Sequence, residues 1–174
     1  MAGADELVQK LDVVLTAFGS RQGAPPLKKR EKEGGKGMQN LHAHSVFCDG
    51  KSTPEEMIHA CLAAGMDSAG ISIHSPLPFA NGWAAKAENV APFLAEMRRL
   101  KAAYAGRIAV YAGVEWDVLS DEKWLEPFDY AIGSAHFLPV GGDPAAYPTV
   151  DDSPETTRRF LAEAFDGDSD AAAE

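Results

Sequence analysis

The chain has 174 residues, 45% of them apolar and 24% charged, with a formal charge of 16 − 26 = −10. That composition supports one buried core of ordinary size and excludes wholesale disorder or a fibrous protein. Two Cys exclude a disulfide-rich scaffold, and no apolar run approaches the roughly 20 residues that cross a bilayer, so the reducing cytoplasm is the expected compartment.

Leu7, Val8, Leu11, Val14, Leu15 and Phe18 recur at helical spacing before Gly19, which predicts a short amphipathic helix over 5–18. Residues 19–37 carry Pro25-Pro26, Lys28-Lys29-Arg30 with Glu31 and Glu33 beside them, and Gly34-Gly35, the composition of a flexible linker. Residues 1–37 hold seven Lys/Arg against five Asp/Glu, so the body from 38 to 174 carries 9 − 21 = −12. An acidic body repels phosphate backbones and argues against nucleic acid as a partner; bound divalent cations become worth seeking.

From Met38 onward, short apolar runs alternate with capped helices. Leu41–His44, Ala69–His74, Ile108–Val114 and Tyr130–His136 are predicted strands. Thr53-Pro54-Glu55-Glu56 offers an N-cap, a first-turn Pro and a Glu three residues on, with Met57, Ile58, Cys61 and Leu62 as the stripe and Gly65 as the stop. A second helix is predicted from about Glu88 to Tyr104, with Phe93, Leu94, Met97, Leu100 and Tyr104 inward. A third starts at Asp152-Ser153-Pro154-Glu155, buries Phe160, Leu161 and Phe165, and stops at Gly167. The alternation predicts an α/β fold with βα units and a mainly parallel sheet or barrel.

The chemistry concentrates at the run ends. His42 and His44, two apart on a predicted strand, point to one face, a spacing that suits zinc, or manganese or iron with carboxylate help. Alone, the pair is equally compatible with two ordinary polar residues. Asp49, in a polar loop before Gly50, brings a carboxylate within reach, although it also reads as a turn residue. His74 closes the second run, Glu115 follows the third and His136 closes the fourth. Four successive runs therefore end in His or Glu, and the C-terminal ends of parallel strands are where such folds build their sites, so a shared metal site is expected. His59 lies mid-helix beside Glu55 and Glu56 and reads as a solvated surface residue. Cys48 reads as an oxidisable bystander and Cys61 as core. No Walker loop, Gly-x-Ser-x-Gly elbow or Gly-x-Gly-x-x-Gly segment is present.

His42-Ala43-His44-Ser45, Phe47-Cys48-Asp49-Gly50, Gly70-Ile71-Ser72-Ile73-His74-Ser75-Pro76, Gly113-Val114-Glu115-Trp116-Asp117 and Gly133-Ser134-Ala135-His136-Phe137 together resemble the polymerase-and-histidinol-phosphatase (PHP) superfamily. Ile-Ser-Ile-His-Ser-Pro-Leu-Pro-Phe at 71–79 is most similar to its histidinol phosphatases, and Phe128-Asp129-Tyr130 and Tyr147-Pro148 with Asp151 also resemble them. The resemblance runs from about Met38 to Asp168. It implies a distorted seven-stranded βα barrel with two or three zinc, manganese or iron ions on His42, His44, Asp49, His74, Glu115 and His136. Glu115 would bridge two ions, and Glu115 and His136 would stand at the reacting centre. The implied reaction is hydrolysis of L-histidinol phosphate, a small-molecule phosphate ester, in histidine biosynthesis.

The sequence departs from that pattern in three ways. The family's later ligands, a His and an Asp-x-His pair, have no counterpart, since no His follows His136. From Met38 the chain has 174 − 37 = 137 residues, room for four to five units at about 30 residues each, so a C-terminally truncated barrel is expected, with an open edge that invites self-association. Asn40 stands where Asp is common in the family. Two further readings follow: a metal-binding fragment or interaction module without turnover, and, less favoured by His-Ser-Pro and the acidic body, a polymerase-associated PHP nuclease domain.

Overall fold

The structure, a computed structural model, describes residues 37–137, 143, 147–150, 153–165 and 167. The helix predicted over 5–18, and the predicted linker apart from Gly37, lie outside the described residues. Four strands form one sheet in chain order: β1 (Gln39–Asn40), β2 (Ser68–His74), β3 (Ala109–Asp117) and β4 (Tyr130–Ser134). All three pairings are parallel, as βα connections require. Helix α1 (Pro54–Ala63) joins β1 to β2, α2 (Ala87–Ala103) joins β2 to β3, a 3-10 turn at Glu122–Trp124 precedes β4, and α3 (Pro154–Phe165) follows it. The described sheet is an arc of a βα barrel with β1 and β4 at its edges. No helix among the described residues is long and apolar enough to cross a membrane.

Local chemistry fixes the helices where the sequence predicts them. Thr53 Oγ1 accepts the Glu56 N–H at 3.3 Å, and Glu56 Oε2 accepts the Thr53 N–H at 2.8 Å, a complete capping box ahead of Pro54. Gly65, at φ +74°, makes the left-handed turn that ends α1. Period-two alternation then separates the two faces of the sheet. Ile71, Ile73, Val110, Ala112, Val114 and Trp116 join Ile58, Phe93, Met97 and Leu100 of the helices in one buried cluster. In α3 the side chains of Phe160 and Phe165 lie outside the described residues; Leu161 is half-buried.

Three predicted boundaries are corrected. Leu41–His44 is not ladder-bonded strand: β1 stops at Asn40, because the Asn40 side chain takes the His42 N–H at 3.2 Å. The Leu41 carbonyl is taken by the hydroxyls of Tyr130 at 2.6 Å and Ser72 at 3.0 Å. The segment still follows β2, with the Ser72 N–H bonded to the Ala43 carbonyl at 2.8 Å. Glu115 does not follow β3 but lies inside it, because β4 keeps pairing as far as Asp117↔Ser134. His136 does not close β4, which ends at Ser134; its N–H goes to the Asp117 carboxylate at 2.9 Å rather than to a ladder.

Tyr130 holds the site-bearing segment to the sheet. Its side chain crosses from β4 over Gly113 of β3 and Gly70 of β2 to reach Leu41, and a Cβ on either glycine would overlap it. Burial pushes its hydroxyl up to about 12, so it stays a protonated donor. Gly113→Ala should destabilise the chain by about 1–3 kcal/mol through overpacking, measured by urea unfolding. The cost should shrink in a Tyr130→Ala background; equal cost in both would mean that the tyrosine is not the obstacle.

Candidate metal centre

Register places the central pair: β2 and β3 align His74 with Glu115 as direct neighbours. Both are buried, as is His136, while His42 and Asp49 lie on the exposed side. The Glu115 carboxylate is the hub. Its Oε2 lies 2.8 Å from His42 Nε2, 3.1 Å from His44 Nε2 and 3.5 Å from His74 Nδ1, and its Oε1 lies 3.2 Å from His136 Nε2. Asp49 Oδ1 lies 3.6 Å from His74 Nε2 and 3.7 Å from His44 Nδ1.

All six residues singled out from the sequence therefore meet in one place. They form three overlapping triads, each with ligand atoms within 4.8 Å of one another: His42, His44 and Glu115; His44, Asp49 and His74; His74, Glu115 and His136. His59 is on the exposed face of α1, against Tyr104 and away from the centre. Cys48, expected as a bystander, touches a donor ring, its Sγ 3.6 Å from His44 Nδ1.

The electrostatics follow from burying a carboxylate among imidazoles. Burial pushes Glu115 upward, but hydrogen bonds from His136, His44 and His42 outweigh it and hold the carboxyl well below the usual range. Hydrogen bonds with Cys48 and Glu115 raise His44 to about 10. Burial works against a charged His136, yet Asp117 and Glu115 together lift it to about 9. Burial, helped by the neighbouring His44, pushes His74 down to about 4 and keeps it neutral.

His74 provides the test of whether a metal suits the site. Its ring stacks on His44 at 4.2 Å and meets the Trp83 ring at 4.6 Å, and its buried Nδ1 has no hydrogen-bond partner among the described residues. A buried polar atom left unpaired is costly, and a cation between His74, Glu115 and His136 would use it. Imidazole and carboxylate donors in this number suit a cluster of divalent ions such as zinc, manganese or iron.

Several contacts at the site were not singled out from the sequence. Asp117, buried beneath His136, bonds its Nδ1 at 3.0 Å, and Ser134 Oγ lies 3.2 Å from the same nitrogen. Trp83 packs on His74 and His136 and stacks on Phe137. The signal for Asp117 was its place two residues beyond Glu115 on the same strand face. Trp83 sits in an aperiodic loop and left no comparable trace.

The PHP domain profile matches residues 40–171. A curated protein of Deinococcus radiodurans, named "Probable histidinol-phosphatase", is 32% identical over 116 residues, covering 61% of this chain and 45% of that protein. The chain thus spans less than half the length of that curated relative. A crystal structure of a candidate histidinol phosphatase from Listeria monocytogenes superposes with a TM-score of 0.59 at 20% identity, over 70% of this chain and 52% of that one. Histidinol phosphate phosphatase from Lactococcus lactis, solved with zinc, L-histidinol and phosphate, matches at a TM-score of 0.49 and 22% identity, over 58% of this chain and 41% of that one. With its profile match, its parallel βα arc and its cluster of His and carboxylate donors, the chain belongs to the PHP domain family.

Proposed function

We propose that this chain is the N-terminal part of a metal-dependent phosphomonoesterase that hydrolyses L-histidinol phosphate to L-histidinol and phosphate. The observation that carries the reading is Glu115, whose two oxygens face different imidazoles within overlapping triads, an arrangement suited to bridging two ions. The substrate rests on the similarity to the curated Deinococcus radiodurans protein. The profile's start at residue 40 supports reading residues 1–37 as an extension outside the domain.

In this reading His42, His44, Asp49, His74, Glu115 and His136 hold the metal. Bound divalent ions would neutralise phosphate charge and lower the pKa of a coordinated water toward neutrality. The protein's part is positional. Glu115 gathers the imidazoles, Trp83 packs on His74 and His136 with Phe137 stacked behind it, and His42 and Asp49 form the side open to an entering phosphate ester. Glu115 and His136 stand at the reacting centre. The exposed Met38, next to the edge strand β1, supports self-association there.

A second reading, metal binding without turnover, is favoured by the exposure of His42 and Asp49, whose side chains are 50% and 41% accessible. Phosphate release from L-histidinol phosphate with manganese or zinc separates the two. Turnover that His42→Ala loses supports the phosphatase, and bound metal without phosphate release supports the second reading. Glu115→Gln should weaken metal binding by more than the roughly 10–100-fold typical of changes to groups behind the ligands. Retained affinity in a competition titration would overturn the hub role.

Metal loading should also release protons at pH 7. His44 and His136, raised to about 10 and about 9, are protonated there in the metal-free chain and must give up those protons to ligate. Apparent affinity should therefore rise with pH from 6 to 9. Calorimetry in buffers of different ionisation enthalpy reads the release directly; identical heats would contradict it.

A further inference from the structure

Asp117 is 1% exposed and held from several sides. Its N–H donates to Ser75 Oγ at 3.0 Å, and its Oδ1 accepts the Leu119 N–H at 2.8 Å. The remaining oxygen, Oδ2, is spent on one residue: it accepts the His136 backbone N–H at 2.9 Å and lies 3.0 Å from His136 Nδ1. A carboxylate can only accept, so the short contact requires a proton on Nδ1. Ser134 Oγ, 3.2 Å from the same nitrogen, is the competing partner, but it is farther, uncharged and already placed to donate to the Trp116 carbonyl at 3.4 Å.

With Nδ1 protonated, His136 has one nitrogen left for a cation, and that nitrogen, Nε2, faces Glu115 Oε1 at 3.2 Å. In the metal-free chain that nitrogen donates its own proton to Oε1; when the proton leaves, two acceptor atoms face each other and a cation between them takes its place. We propose that Asp117 is a positioning residue, fixing His136 as its Nδ1–H tautomer so that Nε2 is the atom offered to a divalent ion shared with Glu115. The proposal rests on the metal-binding reading above. It adds a residue that does not itself touch the ion.

The test uses the full chain, labelled with nitrogen-15 and loaded with zinc. Long-range proton–nitrogen NMR should show His136 protonated at Nδ1 and zinc-bound at Nε2, with the Nδ1 proton shifted downfield by its hydrogen bond. Asp117→Asn should lose that signal and lower zinc affinity about 10–100-fold in competition with a chelating dye, whereas Ser134→Ala should keep both. Zinc on Nδ1 in the unmodified chain overturns the proposal while leaving metal binding intact. So does an Asp117→Asn chain that binds zinc like the unmodified one, or a Ser134→Ala chain that loses the signal. An unmodified chain that takes up no zinc overturns this proposal and the metal-binding reading together. Should Asp117→Asn fail to fold, judged by circular dichroism, the spectrum of the unmodified chain decides alone.

Discussion

A buried carboxylate must be matched by positive charge or by donors, and Glu115 is matched by four imidazoles from three different stretches of chain. That requirement organises the rest. The β2–β3 register has to set His74 beside Glu115, β4 has to pair long enough for His136 to turn back, and the segment after β1 has to curl so that His42 and His44 both reach one oxygen. Each imidazole that approaches compensates the carboxylate, and the carboxylate, together with Cys48 at His44 and Asp117 at His136, in turn holds those two imidazoles charged while no metal is present. A cation entering the cluster takes over a role that protons fill in its absence.

The strands serve two purposes because they alternate. On one face they carry the apolar residues that pack on α1 and α2, and Phe93, Met97 and Leu100 close that layer. On the other they carry glycine, serine, histidine and acid, a face unfit for a core. The cost of so polar a surface is met by contacts among its own members: Ser72 with Tyr130, Ser75 with Asp117, and Asp117 with His136. The core holds the strands from one face, which leaves the polar face for binding.

Much of this was legible in the sequence, for reasons that differ by element. The capping box of α1 is a local interaction encoded in four consecutive residues, and it formed as written. The six clustered residues were legible because parallel strands deliver their ends to one rim, so that regularity along the chain became proximity in space. Boundaries were harder. Glu115 looked like the end of an apolar run, and only the pairing partner β4 shows that the ladder continues beneath it. The irregular course of Leu41–His44 depends on a side chain from Tyr130, 89 residues away, which no local pattern encodes. Trp83 was hidden for the same reason: its role is set by what folds against it.

Tyr130 also ties together positions that are far apart in the chain. Gly70 and Gly113 can gain a side chain only if residue 130 loses bulk, and a smaller residue there surrenders the hydroxyl that grips Leu41 just ahead of His42. Three positions on three strands are thus sterically coupled, each limiting what the other two can hold. Drift at any one of them is felt at the histidine pair, although none of the three is itself a donor to the cluster.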